Sequence, residues 1–153
     1  MHRYFIDYPK DSFRFWQAGY KEAIGYIKQN EGSYSRIFIN NTYEPSLPRF
    51  LFWTSYDPFL FKKQFDGDYK RFDVIEGFDG FKFGEKYFFG TVNNSDTYTG
   101  LDKLIKPTDL YMVSARDEAI GADWRIHTPS SIKLLKTITD PFDKPIFFIV
   151  SRI

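Results

Sequence analysis

The residues best suited to chemistry in this chain are Asn40-Asn41-Thr42-Tyr43-Glu44, where amide, hydroxyl and carboxylate groups stand beside an aromatic ring, with Trp53 soon after. Amides and carboxylates next to rings are a usual grip for sugars: the polar atoms take the hydroxyls and the ring takes the apolar sugar face. The same residues have a plainer use, because Asn and Thr hold turns and cap helices through local side-chain hydrogen bonds. Position argues for a site. Ile37-Phe38-Ile39 is apolar throughout and reads as a short buried strand, and in parallel α/β sheets ligands gather beyond the carboxyl ends of strands. Asn40, Asn41, Tyr43, Glu44 and Trp53 are therefore the candidate ligand-binding residues, and no residue is assigned a catalytic role.

Other chemistries find no footing. Gly77, Gly80 and Gly84 do not fit the phosphate-cradle spacings, and Phe78, Phe81 and Phe83 fill the gaps, so they read as turns between strands. There is no G-x-S-x-G nucleophile elbow. His2 and His127 are far apart and suit no histidine metal site, while Asp66-Gly67-Asp68 lacks the later ligands of a helical calcium loop. Without cysteine there is no thiolate metal site, disulfide or cysteine nucleophile. The expected cofactors and metals are none.

The elements that position the corner follow from periodicity. Phe13, Trp16, Tyr20, Ala23 and Ile27 recur at helical spacing and predict one amphipathic helix capped by Asp11 or Ser12, with Gly19 and Gly25 inside it and Gly32 beyond its end. Ser46 is expected to cap a second helix with Pro48 in its first turn, and Asp57-Pro58 opens a third through Phe65. Downstream, Phe72–Glu76 and Lys86–Val92 read as strands flanking a turn-rich stretch from Gly77 to Gly84. Leu101–Ile105 reads as a short helix stopped at Lys106-Pro107. Asp109–Ser114, Ile132–Thr139 and Ile146–Val150 read as strands, the last two joined as a hairpin by Asp140–Pro145. The predicted fold is α/β: a single domain over residues 1–153, with a mixed sheet of about five or six strands, helices on at least one face and a C-terminal β-hairpin.

Composition narrows the function. A chain of 153 residues with 42% apolar and 27% charged residues is one ordinary globular domain. With 21 basic and 20 acidic residues it has none of the basic excess of nucleic-acid binders, so no nucleic-acid partner is expected. No apolar run approaches the roughly 18 to 20 residues that span a bilayer, and Met1-His-Arg-Tyr-Phe-Ile-Asp7 meets acid too early for a signal peptide. The chain as it stands is expected to be soluble. The unusual feature is 18 Phe and 11 Tyr within an aromatic share of 21%. Most of these rings suit the core, and the segment from Tyr43 to Tyr56 is where an exposed platform for sugar or a headgroup layer would lie.

Tyr8-Pro9, Phe15-Trp16, Gly19-Tyr20-Lys21-Glu22-Ala23, Asn41-Thr42-Tyr43-Glu44-Pro45 and Tyr56-Asp57-Pro58 together resemble the soluble carboxy-terminal domain of microbial polytopic glycosyltransferases. These are the protein-mannosyltransferase-like and aminoarabinose-transferase-like enzymes that use polyprenyl-phosphate sugars. The quoted motifs run from Tyr8 to Pro58, and the remainder matches only loosely. The resemblance implies a non-catalytic accessory domain at the extracytoplasmic face of the membrane, cut from a longer protein, with Met1 an artificial start. Its partners would be the transmembrane portion of the parent protein and a glycan or polyprenyl-phosphate sugar, with membrane contact only through the parent. The catalytic acids of such enzymes lie on loops between transmembrane helices, so none is carried onto this chain. Two alternatives stay open: a free-standing carbohydrate-binding module, and a small α/β enzyme acting at the Asn40–Glu44 corner.

Overall fold

The computed structural model describes residues 19–43, 45–65, 75–92, 97–116, 118–119 and 122–153. Helix α1 spans Tyr20–Asn30, followed by a 3-10 turn at Glu31–Ser33 and strand β1, Arg36–Asn40. Helices α2, Ser46–Trp53, and α3, Pro58–Phe65, lead to the hairpin β2, Phe78–Phe83, and β3, Tyr87–Val92. Helix α4, Thr97–Leu104, precedes β4, Asp109–Ser114, and the chain closes with β5, Ile132–Thr139, and β6, Pro145–Arg152. The strands form one mixed six-stranded sheet in the order β2-β3-β1-β4-β6-β5, ending in the expected C-terminal hairpin.

The apolar run at Ile37–Ile39 dictates the centre of this sheet. Strand β1 lies between β3 and β4, parallel to both, and its three apolar side chains are completely buried. Ile37 and Ile39 face a core built with Tyr20, Ala23, Ile24 and Ile27 of α1 and Phe50 of α2. Phe38 faces the opposite core, with Leu101 and Leu104 of α4 and Trp124, which stacks on Phe148 at 5.4 Å. A strand covered on both faces has no solvent side, hence no polar alternation.

Three expectations change. Gly19 does not lie inside a helix: it has φ +88°, and α1 begins after it. That left-handed geometry excludes ordinary side chains, and a Cβ there would sit 3.0 Å from Ile138 Cγ2. Phe13 and Trp16, the proposed earlier part of the helical face, lie outside the described residues, as do most of the expected strand Phe72–Glu76 and the pair Asp66 and Asp68. Second, Gly77–Gly84 is not a turn region but mostly strand β2. Gly80 pairs with Gly90 across the β2–β3 ladder, and a Cβ on either would collide with the facing backbone carbonyl. Gly80 is there for close strand approach rather than for turning. Third, α4 starts at Thr97, ahead of the expected Leu101.

At the amino ends of the parallel strands, Arg36 meets its register partner Asp109: Nε donates at 3.0 Å, and the second guanidinium nitrogen pairs with Oδ2 while also donating to the Leu104 carbonyl at 3.1 Å. Asp109 is 1% exposed and also accepts the Lys106 backbone N–H at 2.7 Å. The pair ties β1, β4 and the end of α4 together, leaving the opposite edge of the sheet for a site.

Candidate functional site

The carboxyl ends of β1, β3 and β4 share one edge because the three strands are parallel. Strand β6 runs the other way, so its first residues arrive at the same edge. Asn40 ends β1 there with its side chain fully buried. Its Oδ1 accepts the Thr42 N–H and its Nδ2 donates to Thr42 Oγ1, both at 2.9 Å, a local turn that bends the chain out of the sheet. Asn41 then accepts the Ser46 backbone N–H at 2.7 Å and the Ser46 hydroxyl at 3.1 Å through Oδ1. Ser46 was expected to cap α2; instead it is the first helical residue, and Asn41 satisfies its otherwise unpaired N–H.

Tyr43 crosses to the far side of the edge. Its hydroxyl donates to the Ile146 carbonyl at 3.3 Å and accepts the Arg116 backbone N–H at 3.1 Å, while its ring meets Phe147 edge-on at 5.4 Å. Tyr20 packs on the same Phe147 ring at 4.9 Å. Each tyrosine carries a guanidinium on its ring, Arg116 at 4.7 Å from the Tyr43 centroid and Arg49 at 5.0 Å from that of Tyr20. Burial pushes the Tyr20 phenol up to about 12, opposed by Arg49, and among the described residues its hydroxyl has no hydrogen-bond partner. The edge is thus a rim of two Arg–Tyr pairs on a shared phenylalanine.

At the same end of the strands, on the opposite face of the sheet from the rim, lies a residue that the sequence did not mark. Glu118 is 5% exposed, and its carboxylate accepts the Tyr111 hydroxyl, the Val92 N–H at 3.2 Å and the Ser114 N–H at 3.1 Å. It therefore fastens the ends of β3 and β4 together. Burial raises its proton affinity above that of an ordinary glutamate, against the lowering effect of its donors and of the neighbouring Asn40. Burial and the Glu118 charge likewise hold the Tyr111 phenol far above the usual tyrosine range. A carboxyl with such a shift at the carboxyl edge of parallel strands has the properties of a functional group, and equally of a structural clasp. The available signal was its place four residues beyond Ser114, in reach of the strand's last N–H.

The structure brings Asn40, Asn41 and Tyr43 together on this edge. Trp53 sits at the other end of α2, where its ring meets Phe52 at 4.8 Å and the Lys21 ammonium at 5.3 Å. Glu44 lies outside the described residues. A separate groove of about 540 Å³ runs between α1 and β5, lined by Lys21, Glu22, Tyr26, Gln29 and Lys136 among others, and none of the candidate residues borders it. Among the described residues no group of three or more His, Asp or Glu could hold a metal ion, and no helix is long and apolar enough to cross a membrane. No protein-family model, curated protein or solved structure matches this chain.

Proposed function

We propose that this is a non-catalytic accessory domain of a membrane-embedded glycosyltransferase, held at the extracytoplasmic face and helping to position a polyprenyl-phosphate sugar or its acceptor. The observation that carries this reading is the rim itself: Arg116 on Tyr43 and Arg49 on Tyr20, both tyrosines seated on Phe147. Guanidinium groups match phosphate oxygens in geometry and charge; Arg116 lies over the half-buried Tyr43 ring, and Tyr20, 2% exposed, supports Arg49 from the core. Asn40 commits both amide atoms to the turn and Asn41 commits its Oδ1 to the start of α2, so these groups shape the rim.

Titrating the chain with a short polyprenyl-phosphate sugar tests this. Amide resonances of Asn41, Tyr43, Ser46 and Arg116 should move first, and more than with the free sugar. Shifts confined to β5 or to the β2–β3 hairpin, or none at all, would refute it. One observation favours the small-enzyme alternative: Glu118, a carboxyl with raised proton affinity, lies at the same end of the strands on the face opposite the rim. Sugar transfer by the chain alone that disappears in Glu118→Gln would establish that alternative.

A further inference from the structure

We infer that the corner where α2 meets α3 is a docking surface for an anionic phospholipid bilayer. Seven large apolar side chains are exposed among the described residues, and four of them lie here: Phe52 at 71%, Trp53 at 43%, Phe59 at 83% and Leu60 at 55%. They are the last two residues of α2 and the second and third of α3. The tight turn between brings them to one corner: Ser55 N–H bonds to the Phe52 carbonyl at 3.1 Å and Tyr56 N–H to the Leu51 carbonyl at 2.9 Å. Asp57 Oδ1 caps α3 through the Phe59 N–H at 2.8 Å, which fixes the outward aim of its first turn. The inner faces are occupied, since Phe50 and Phe61 pack toward Phe83 in the core. Phe52 and Phe59, 71% and 83% exposed, take little part in that packing.

Charge selects the occupant. Lys62 and Lys63 follow Phe59 by three and four residues on α3, so both lie beside it on the exposed face. Lys21 reaches the Trp53 ring from α1. The centres of protein–protein interfaces are depleted in lysine. Interfacial helices instead combine Trp, Phe and Leu on the immersed side with lysines that reach back to headgroup phosphates. Aromatic rings next to lysines at a helix corner match the second pattern, with an anionic leaflet supplying the complementary charge. The surface belongs to α2 and α3 and is independent of what the rim binds.

Sedimentation with vesicles tests it. The chain should pellet with phosphatidylglycerol–phosphatidylcholine vesicles and far less with pure phosphatidylcholine, and salt should weaken the binding. Phe59→Ser with Trp53→Ser should lower the partition coefficient by about tenfold or more, and Lys62→Gln with Lys63→Gln should abolish the preference for anionic lipid. Circular dichroism confirms that each variant is folded. Three results would overturn the inference: no pelleting with anionic vesicles, whether or not the chain self-associates through Phe59, equal binding to both vesicle types, or anionic binding untouched by the aromatic substitutions.

Discussion

Glu118→Gln separates the two opposing effects at the buried carboxyl. Glutamine has the same shape but only one acceptor oxygen. With the carbonyl toward Tyr111 and Val92, its NH2 faces the Ser114 N–H; with the carbonyl toward Ser114, its NH2 faces Val92. Either way one buried backbone N–H loses its partner, at about 1–3 kcal/mol independent of pH. The charge acts the other way. Because burial raises the proton affinity of Glu118 in the folded state, that state binds the proton more tightly than the unfolded chain does. The stabilising contribution is full below the ordinary glutamate range, near about 4.3, and is lost as pH rises through the folded-state value. Each tenfold gain in proton affinity on folding corresponds to about 1.4 kcal/mol of that loss. Urea unfolding of both proteins from pH 4 to pH 8 reads the difference directly. Asp123 and Glu31, whose carboxyls are held below their ordinary values, favour the folded state with the opposite pH dependence, but they do so in both proteins and cancel. The wild-type advantage over the variant should shrink as pH rises. A constant or growing difference would refute the reasoning, by showing that the three donors outweigh burial.

Three further outcomes check the scaffold by denaturant unfolding. Arg36→Ala strands a nearly inaccessible Asp109 carboxylate and should cost about 3–5 kcal/mol, with a loss under 1 kcal/mol pointing to an ion pair open to water. Tyr43→Phe removes the bridge from Ile146 to Arg116 and should cost about 1 kcal/mol, with amide shifts concentrated at Arg116 and Phe147. Gly90→Ala drives a methyl into the Asp79 carbonyl and should cost about 1–3 kcal/mol or more, whereas Gly25→Ala, in a helix with open space around it, should gain about 0.5–1 kcal/mol.

What the sequence disclosed depends on how far apart the cooperating residues are. Ile37-Phe38-Ile39 announces an interior strand because burial on both faces demands apolar residues in succession, a property of adjacent positions. Asp57-Pro58 announces α3 for the same local reason, and the Asp57 cap is present as expected. Gly80 is different. A glycine signals either a turn or a close approach, and only Gly90, brought opposite by the β2–β3 ladder, decides between them. Glu118 is more extreme: its place four residues beyond Ser114 accounts for one donor, but the others come from Val92 and Tyr111, so the local sequence does not mark its burial. The candidate corner was legible as a place, because Asn40 must follow the strand. The tasks of its side chains were not, because Arg116 and Ile146 reach Tyr43 only through the sheet.

That wiring determines what a ligand at the edge would meet. Asn40 faces inward and Asn41 Oδ1 holds Ser46, so neither amide oxygen is presented without first releasing the turn or the helix start. Reaching Glu118 would mean breaking contacts with Val92, Tyr111 and Ser114, which together tie the ends of β3 and β4. At the rim, the Arg49 and Arg116 guanidiniums over the Tyr20 and Tyr43 rings carry the charge that suits an anion. Binding there needs no rearrangement of the sheet, whereas proton transfer by Glu118 does. Catalysis requires its acid or base within hydrogen-bond reach of the reacting atom. On the proposed reading the edge holds a ligand rather than transforming it, and the inferred lipid surface lies apart from it at the α2–α3 corner.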